Sequence, residues 1–215
     1  AWENNQNSAA LSMELMRMYA QEGKIEEARK VLIAYTVKGS KAFLPKVINT
    51  MIEIYDSAGY PSEAKNLLKD FPPLVSSSDA LNTAILARRM GEETLAHVYF
   101  ERAGDAIMSD PRALHEFAQA KITLAADQYR KRGNEVAQET SKRFLREARE
   151  LLERVLQMDT DRTRKAWVWK DIAKIRTWLK APDSEIESAY KNAIDLLPQE
   201  TRFKAALSNW RNKKQ

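Results

Sequence analysis

Apolar residues recur along this chain at the spacing of amphipathic helices, and the helices come in pairs. One stripe contains Leu11, Leu15, Met18 and Tyr19, and the next contains Ile25, Ala28, Val31, Leu32 and Tyr35. Positions three and four apart lie on one face of a helix, so each stripe predicts one helix with a buried side. Gly23 separates the two stripes, and a helix end often needs a glycine in the left-handed conformation. The pattern therefore predicts a helical hairpin.

The hairpin pattern is repeated. The sequence MYAQEGKIEEARKVL of residues 18–32 matches IYDSAGYPSEAKNLL of residues 54–68 at an offset of 36, and a fainter third copy surrounds Gly91. One position of the repeat can be followed as Ala28, Ala64, Ala96, Ala148 and Ile186. A small residue at this position allows two helices to cross closely. The gap of 52 before Ala148 corresponds to one period with about 18 extra residues.

The later chain continues in the same way. Five hairpins are predicted, at residues 9–42, 43–76, 77–110, 111–160 with an insertion, and 163–198. Residues 130–141 are either a loop or an extension of the two helices of the fourth hairpin. Phe203, Leu207 and Trp210 predict a terminal helix within residues 199–215, which either covers the last hairpin or begins a further repeat. One hairpin cannot bury its own apolar stripe, so we expect the neighbours to stack into a single domain.

These repeats resemble the tetratricopeptide repeat (TPR) family, whose 34-residue unit is a helix–turn–helix with small and aromatic residues at fixed places. The resemblance implies an all-α fold, a right-handed α-solenoid of about five antiparallel helical hairpins with a capping helix at the C-terminal end. The repeats are degenerate, because Met16, Ile52 and Ala84 stand at the usual small position of the first helices. Trp167 and Trp169 make the last first helix similar to the half-a-TPR repeats of RNA-processing proteins.

The resemblance also implies where a partner binds, since the groove of TPR proteins is lined mainly by the first helix of each unit. The matching positions here are Arg17, Asn49, Glu53, Arg88 and Arg89, joined by Met13, Asp56, Leu81 and Ile85. Guanidinium groups bind carboxylates in a bidentate way, so the cations of this groove suit an acidic peptide. A clamp for a peptide C-terminus, as in some family members, is not expected, because Met13 and Ser78 replace two of its lysines.

Charge divides the chain into two halves. Residues 1–110 hold 12 Lys and Arg against 15 Asp and Glu, whereas residues 111–215 hold 23 against 15. A basic half can indicate an anionic partner. The least neutralised cations are Arg130, Lys131, Arg132, Arg162, Arg164 and Lys165. With Trp167 and Trp169 nearby, they form an alternative basic patch for RNA or an acidic polysaccharide, although Trp at helical spacing is more often part of a core.

Nothing in the sequence predicts catalysis, a cofactor or a metal. The absence of Cys excludes a disulfide framework and a thiol nucleophile, and His97 and His115 stand in no metal-binding spacing. No run of about 18 apolar residues predicts insertion into a membrane. The opening AWENNQ, without Met, suggests a piece of a longer protein, so the compartment is not predicted.

Two classes of function follow from these observations. The first is a non-catalytic scaffold that binds another protein or a peptide in its groove. By family analogy it would be an assembly module of a secretion or polysaccharide-export complex. The second is an RNA-processing scaffold or a direct binder of an anionic polymer, whose binding would weaken steeply with salt. An unpaired terminal repeat could also drive self-association.

Overall fold

The structure is a computed structural model that describes residues 8–69, 77–131 and 134–213. The described residues form twelve α-helices and no strand, which confirms the predicted all-α fold. Close contacts divide the chain into two compact units, unit 1 (Ala1–Ala106) and unit 2 (Ile107–Gln215).

Unit 1 contains three helical hairpins. They are α1 (Ala9–Gln21) with α2 (Ile25–Lys38), α3 (Leu44–Ser57) with α4 (Pro61–Lys69), and α5 (Ser77–Arg89) with α6 (Glu93–Ala103). The repeated alanine is fully buried in each second helix, since Ala28, Ala64 and Ala96 are 0% exposed. Helix α3 packs against both α1 and α5, so the first helices of the three hairpins lie side by side. A short helix, α7 (Asp105–Met108), follows α6 in the chain.

Unit 2 contains two hairpins and a terminal helix. They are α8 (Pro111–Tyr129) with α9 (Glu135–Met158), α10 (Arg162–Trp178) with α11 (Asp183–Leu196), and α12 (Thr201–Asn212). Helix α9 has 24 residues, so most of residues 130–141 extend a helix rather than form a loop. Asn134 begins this helix, because its side chain accepts a hydrogen bond from the backbone N–H of Ala137 at 3.0 Å.

The terminal helix α12 packs on the last hairpin. Phe203 is fully buried, and Leu207 and Trp210 are at most 9% exposed. Phe203 forms a buried hydrophobic cluster with Ala166 of α10 and Ala193 of α11. The ring of Trp167 meets the Phe203 ring edge-on, with centroids 4.9 Å apart, so this tryptophan is part of a core.

Four hairpin turns share one hydrogen-bond pattern. In each turn, the N–H of a left-handed residue and the N–H that follows it donate to carbonyls in the last turn of the preceding helix. Gly23, Gly59 and Gly91 hold the left-handed position in unit 1, with φ of 72°, 83° and 73°. In the α10–α11 turn of unit 2 the position is held by Lys180, with φ of 56°. Lys180 is the one non-glycine residue with positive φ in the part of the chain that the structure describes.

Replacing Lys180 with Gly should raise the free energy of unfolding by about 1 kcal/mol, because glycine adopts this conformation without the steric penalty of a Cβ atom. Urea denaturation measures the change. The matched control is Gly59→Ala, which should lower the free energy of unfolding by a similar amount, although a Cβ at Gly59 would meet no atom within 4 Å. A Lys180→Gly protein no more stable than the parent would contradict this assignment of strain.

Candidate partner-binding groove

The first helices of unit 1 line a cavity of about 320 Å³, called here the unit 1 groove. Its lining residues are Met13, Arg17, Lys46, Asn49, Thr50, Glu53, Asn82, Ile85, Leu86 and Arg89. Within α1, α3 and α5 most of these residues are three or four positions apart, so each helix presents one face to the cavity. The structure thus brings together Arg17, Asn49, Glu53 and Arg89 of the groove predicted from sequence.

The unit 1 groove carries more cations than anions. Arg17 and Lys46 are exposed, and neither is paired with a carboxylate among the described residues. Arg89 is held in place, since its Nη2 lies 2.9 Å from Asp56 Oδ2 on the neighbouring helix α3. Glu53 is the one acidic residue of the lining. The excess of positive charge favours an acidic ligand.

Asn49 lines the groove but uses its side chain inside the protein. Its Nδ2 donates to Thr83 Oγ1 at 3.2 Å, and Thr83 Oγ1 donates to the carbonyl of Asp79 at 2.8 Å. Asn49 is 7% exposed and Thr83 is fully buried. The Asn49 amide therefore ties α3 to α5, and we assign it a structural role rather than a contact with a partner.

Arg88 does not line the groove. Its Nη1 lies 2.9 Å from Glu93 Oε1 across the α5–α6 turn, and its side chain is only 22% exposed. Leu81 is also absent from the lining.

Sequence reasoning missed Thr50, Asn82, Leu86 and, as the one charged residue among the four, Lys46. Lys46 precedes Asn49 and Glu53 by three and seven positions, the spacing of a single helix face. That spacing was the signal that could have identified it.

The structure separates the residues of the alternative basic patch. The Tyr129 ring stacks on Trp178 with centroids 6.4 Å apart, which places the end of α8 beside the end of α10. Arg130 and Lys131 follow α8 directly, and Arg132 lies outside the described residues. The other cluster lies in the first turn of α10, about 25 Å away along a helix of 17 residues. That cluster consists of Arg162, Arg164 and Lys165.

Two of the three cations at the start of α10, Arg162 and Arg164, are engaged within unit 2. Arg162 Nε donates to the carbonyl of Leu196 at 3.0 Å. Arg164 is paired with Asp159 and Asp161, and its side chain is 17% exposed. Burial alone would raise the pKa of Asp159, but hydrogen bonds from the Asp161 N–H and the Arg164 guanidinium outweigh it and lower that pKa. These contacts join the helix ends, and the carboxylates of Asp159 and Asp161 neutralise the charge of Arg164.

Other kinds of site find no support in the described residues. Within residues 8–69, 77–131 and 134–213, no group of three or more His, Asp and Glu side chains could hold a metal ion. None of the helices in those ranges combines the length and the apolar character of a membrane span.

The hairpins and their turns define a TPR-like helical-repeat fold. The sequence matches no protein-family model and no curated protein. The structure, however, is similar to the TPR protein YrrB, described as having an unusual peptide-binding site, with a TM-score of 0.67 and 15% identity over 95% of this chain and 94% of that one. It is also similar to the MamA protein, with a TM-score of 0.61 and 12% identity over 90% and 94% of the two chains.

A third similar structure is the APC/C hetero-tetramer Cut9–Hcn1. The TM-score is 0.50 and the identity 15%, over 99% of this chain and 38% of that one. At such low identities the likeness shows the fold. The resemblance to TPR repeats read from the sequence is confirmed at that level.

The tie between α3 and α5 can be tested by a double-mutant cycle of Asn49→Ala and Thr83→Val. Each single change should lower the free energy of unfolding, and the coupling energy between them should be about 1 kcal/mol, the net value of one buried hydrogen bond. Urea denaturation of the four proteins gives the coupling. A coupling near zero would show that the two side chains act independently.

Proposed function

We propose that this chain is a non-catalytic scaffold that binds an acidic segment of another protein in the unit 1 groove. The observation that carries the proposal is the pair of cations Arg17 and Lys46, which face the groove without a carboxylate partner among the described residues. Support also comes from the fold, since YrrB has the same fold and is described as having a peptide-binding site.

Different residues of the unit 1 groove would contact different parts of the bound segment. The Arg17 guanidinium can bind one carboxylate in a bidentate way, and the Lys46 ammonium supplies a second point of attraction. Met13 and Ile85 give the groove apolar surface for a side chain of the partner. Glu53 repels a misplaced carboxylate and so helps to set the register of the bound segment.

The helices that carry these groups are fixed before a partner arrives. The Arg89–Asp56 ion pair and the Asn49–Thr83 hydrogen bond both join α3 to α5. A preformed groove loses less entropy on binding than one that must be assembled.

Binding of an anionic polymer is the second candidate, and the structure favours it less. The basic residues that suggested it stand at opposite ends of α10, and part of them are engaged in ion pairs or with helix carbonyls. A place in a secretion or polysaccharide-export complex, and self-association through terminal repeats, stay predictions.

The proposal is tested by reversing the two groove charges. The Arg17→Glu/Lys46→Glu protein should bind an acidic partner segment more than tenfold more weakly, because like charges brought together at an interface cost several kcal/mol. Proteins captured from a lysate of the source organism by the parent chain are identified by mass spectrometry, and the affinity for the captured protein is then measured by calorimetry.

The matched control is Lys41→Glu, which changes an exposed lysine outside the cavity and should leave the affinity unchanged. Retention of the captured protein at high salt, and its loss with the groove variant, would support the proposal. The proposal would be overturned if the chain captured nucleic acid or acidic polysaccharide, if high salt removed that polymer, and if the groove variant bound it as well as the parent chain does.

A further inference from the structure

The long α8–α9 hairpin forms a second cavity, which lies entirely within unit 2. Its volume is about 770 Å³, in the range of cavities that hold small ligands or parts of larger ones. The residues that matter here are Tyr129, Leu145, Arg146, Arg149, Trp178 and Lys180. They come from the end of α8, from α9 and from the α10–α11 turn, and this set is called here the unit 2 cavity.

The extra length of α9 builds one wall of the unit 2 cavity. Gln138, Ser141 and Lys142, in the first two turns of α9, belong to the lining. Ser141 is buried, and its hydroxyl donates to the carbonyl of Ala125 at 2.8 Å, which fixes the start of α9 against α8. The wall is therefore a rigid part of the hairpin.

Positive charge is in excess along this wall. Lys142 Nζ and Arg146 Nη1 both lie 3.3 Å from one carboxylate, that of Glu139. The hydrogen bond from Lys142, with the added charge of Arg146, holds the pKa of Glu139 below its usual value. Arg149 Nε lies 3.5 Å from Glu153. The single carboxylate of Glu139 is thus paired with two cations, Lys142 and Arg146, so this wall keeps a net positive charge.

Lys180 adds a cation on the opposite side of the unit 2 cavity. No carboxylate of the described residues is paired with it. It stands in the left-handed position that three other hairpin turns give to glycine. Strain of this kind is found where a side chain has a function that outweighs its cost. The cost is explained if the Lys180 side chain serves the cavity that it lines.

We infer that the unit 2 cavity binds an acidic segment of a partner protein. The carboxylates of the segment lie between Lys180 and the guanidinium groups of Arg146 and Arg149. An apolar or aromatic side chain of the segment packs on the stacked rings of Tyr129 and Trp178, which are 65% and 38% exposed. This site is separate from the unit 1 groove and stands even if that groove binds nothing.

The cavity favours a protein segment over a long polyanion. A polyanion needs a track of cations that follows its backbone. Here the cations line one cavity, and the basic cluster at the start of α10 is far from it. The lining holds four cations against one acidic residue, Glu185, which is paired with Arg176 at 3.8 Å. This small excess of cations matches one or two carboxylates.

The test selects peptides from a random dodecapeptide phage library on the Arg17→Glu/Lys46→Glu protein, so that the unit 1 groove does not contribute. We expect enrichment of peptides that combine Asp or Glu with a large apolar residue. The most enriched peptide is labelled with fluorescein, and its affinity is measured by fluorescence polarisation. Arg146→Gln/Arg149→Gln should weaken its binding at least about tenfold, since both guanidinium groups are lost.

Lys180→Gly gives the sharpest result, because it should weaken peptide binding at least about fivefold while it raises the melting temperature. A purely structural role for Lys180 predicts no change in binding. Lys204→Gln, an exposed change on α12 outside the cavity, is the control and should leave binding unchanged. The inference is overturned if no acidic peptide is enriched, if Lys180→Gly binds as tightly as its parent, or if an RNA dodecamer displaces the peptide and depends on the same residues.

Discussion

The close crossing of two helices is the constraint on which every hairpin of this chain depends. Ala28, Ala64, Ala96 and Ala148 stand at that crossing and are fully buried. A larger side chain there would push the helix axes apart, and a close-packed interior has no space to absorb the shift. Ile186 fills the same position in the last hairpin and is 3% exposed. Because the crossings fix the hairpins, the polar faces of the first helices in unit 1 are left side by side, and the unit 1 groove is a consequence of that packing.

Burial determines which polar side chains bond within the protein and which are exposed to a ligand. Asn49 is turned inwards and its amide is used between helices, whereas Arg17 is exposed and its charge stays available. The same division appears in unit 2, where the buried carboxylate of Asp171 accepts a hydrogen bond from Gln119 and lies 3.3 Å from His115 Nε2. His115 therefore joins α8 to α10.

Structural features that depend on residues close together in the sequence could be predicted, and side-chain contacts between residues far apart in the sequence could not. The hairpins were predictable because helical periodicity and a turn glycine such as Gly23 are local signals. The α10–α11 turn has the same left-handed conformation at Lys180, where the sequence has no glycine to indicate it. Arg88 was predicted to line the groove from its position in the repeat, but it pairs instead with Glu93 across the α5–α6 turn. The structure places Arg130 and Lys131 near one end of α10 and Arg162 at the other, and the charge pattern of the sequence does not show this separation.

The insertion in the fourth hairpin shows how a helical repeat can acquire a site without disturbing its core. Helices α8 and α9 have 19 and 24 residues, whereas α10 and α11 have 17 and 14, so the ends of the two hairpins cannot be level. The crossing at Ala148 is nevertheless fully buried, as in the shorter hairpins. The added length therefore appears only at the hairpin end, where it overhangs the α10–α11 turn and encloses a cavity. Insertions in repeat proteins fall on one face for this reason, because the stacked core tolerates none. Lys180, the non-glycine residue at a left-handed turn position, and the long helix α9 therefore line the same cavity.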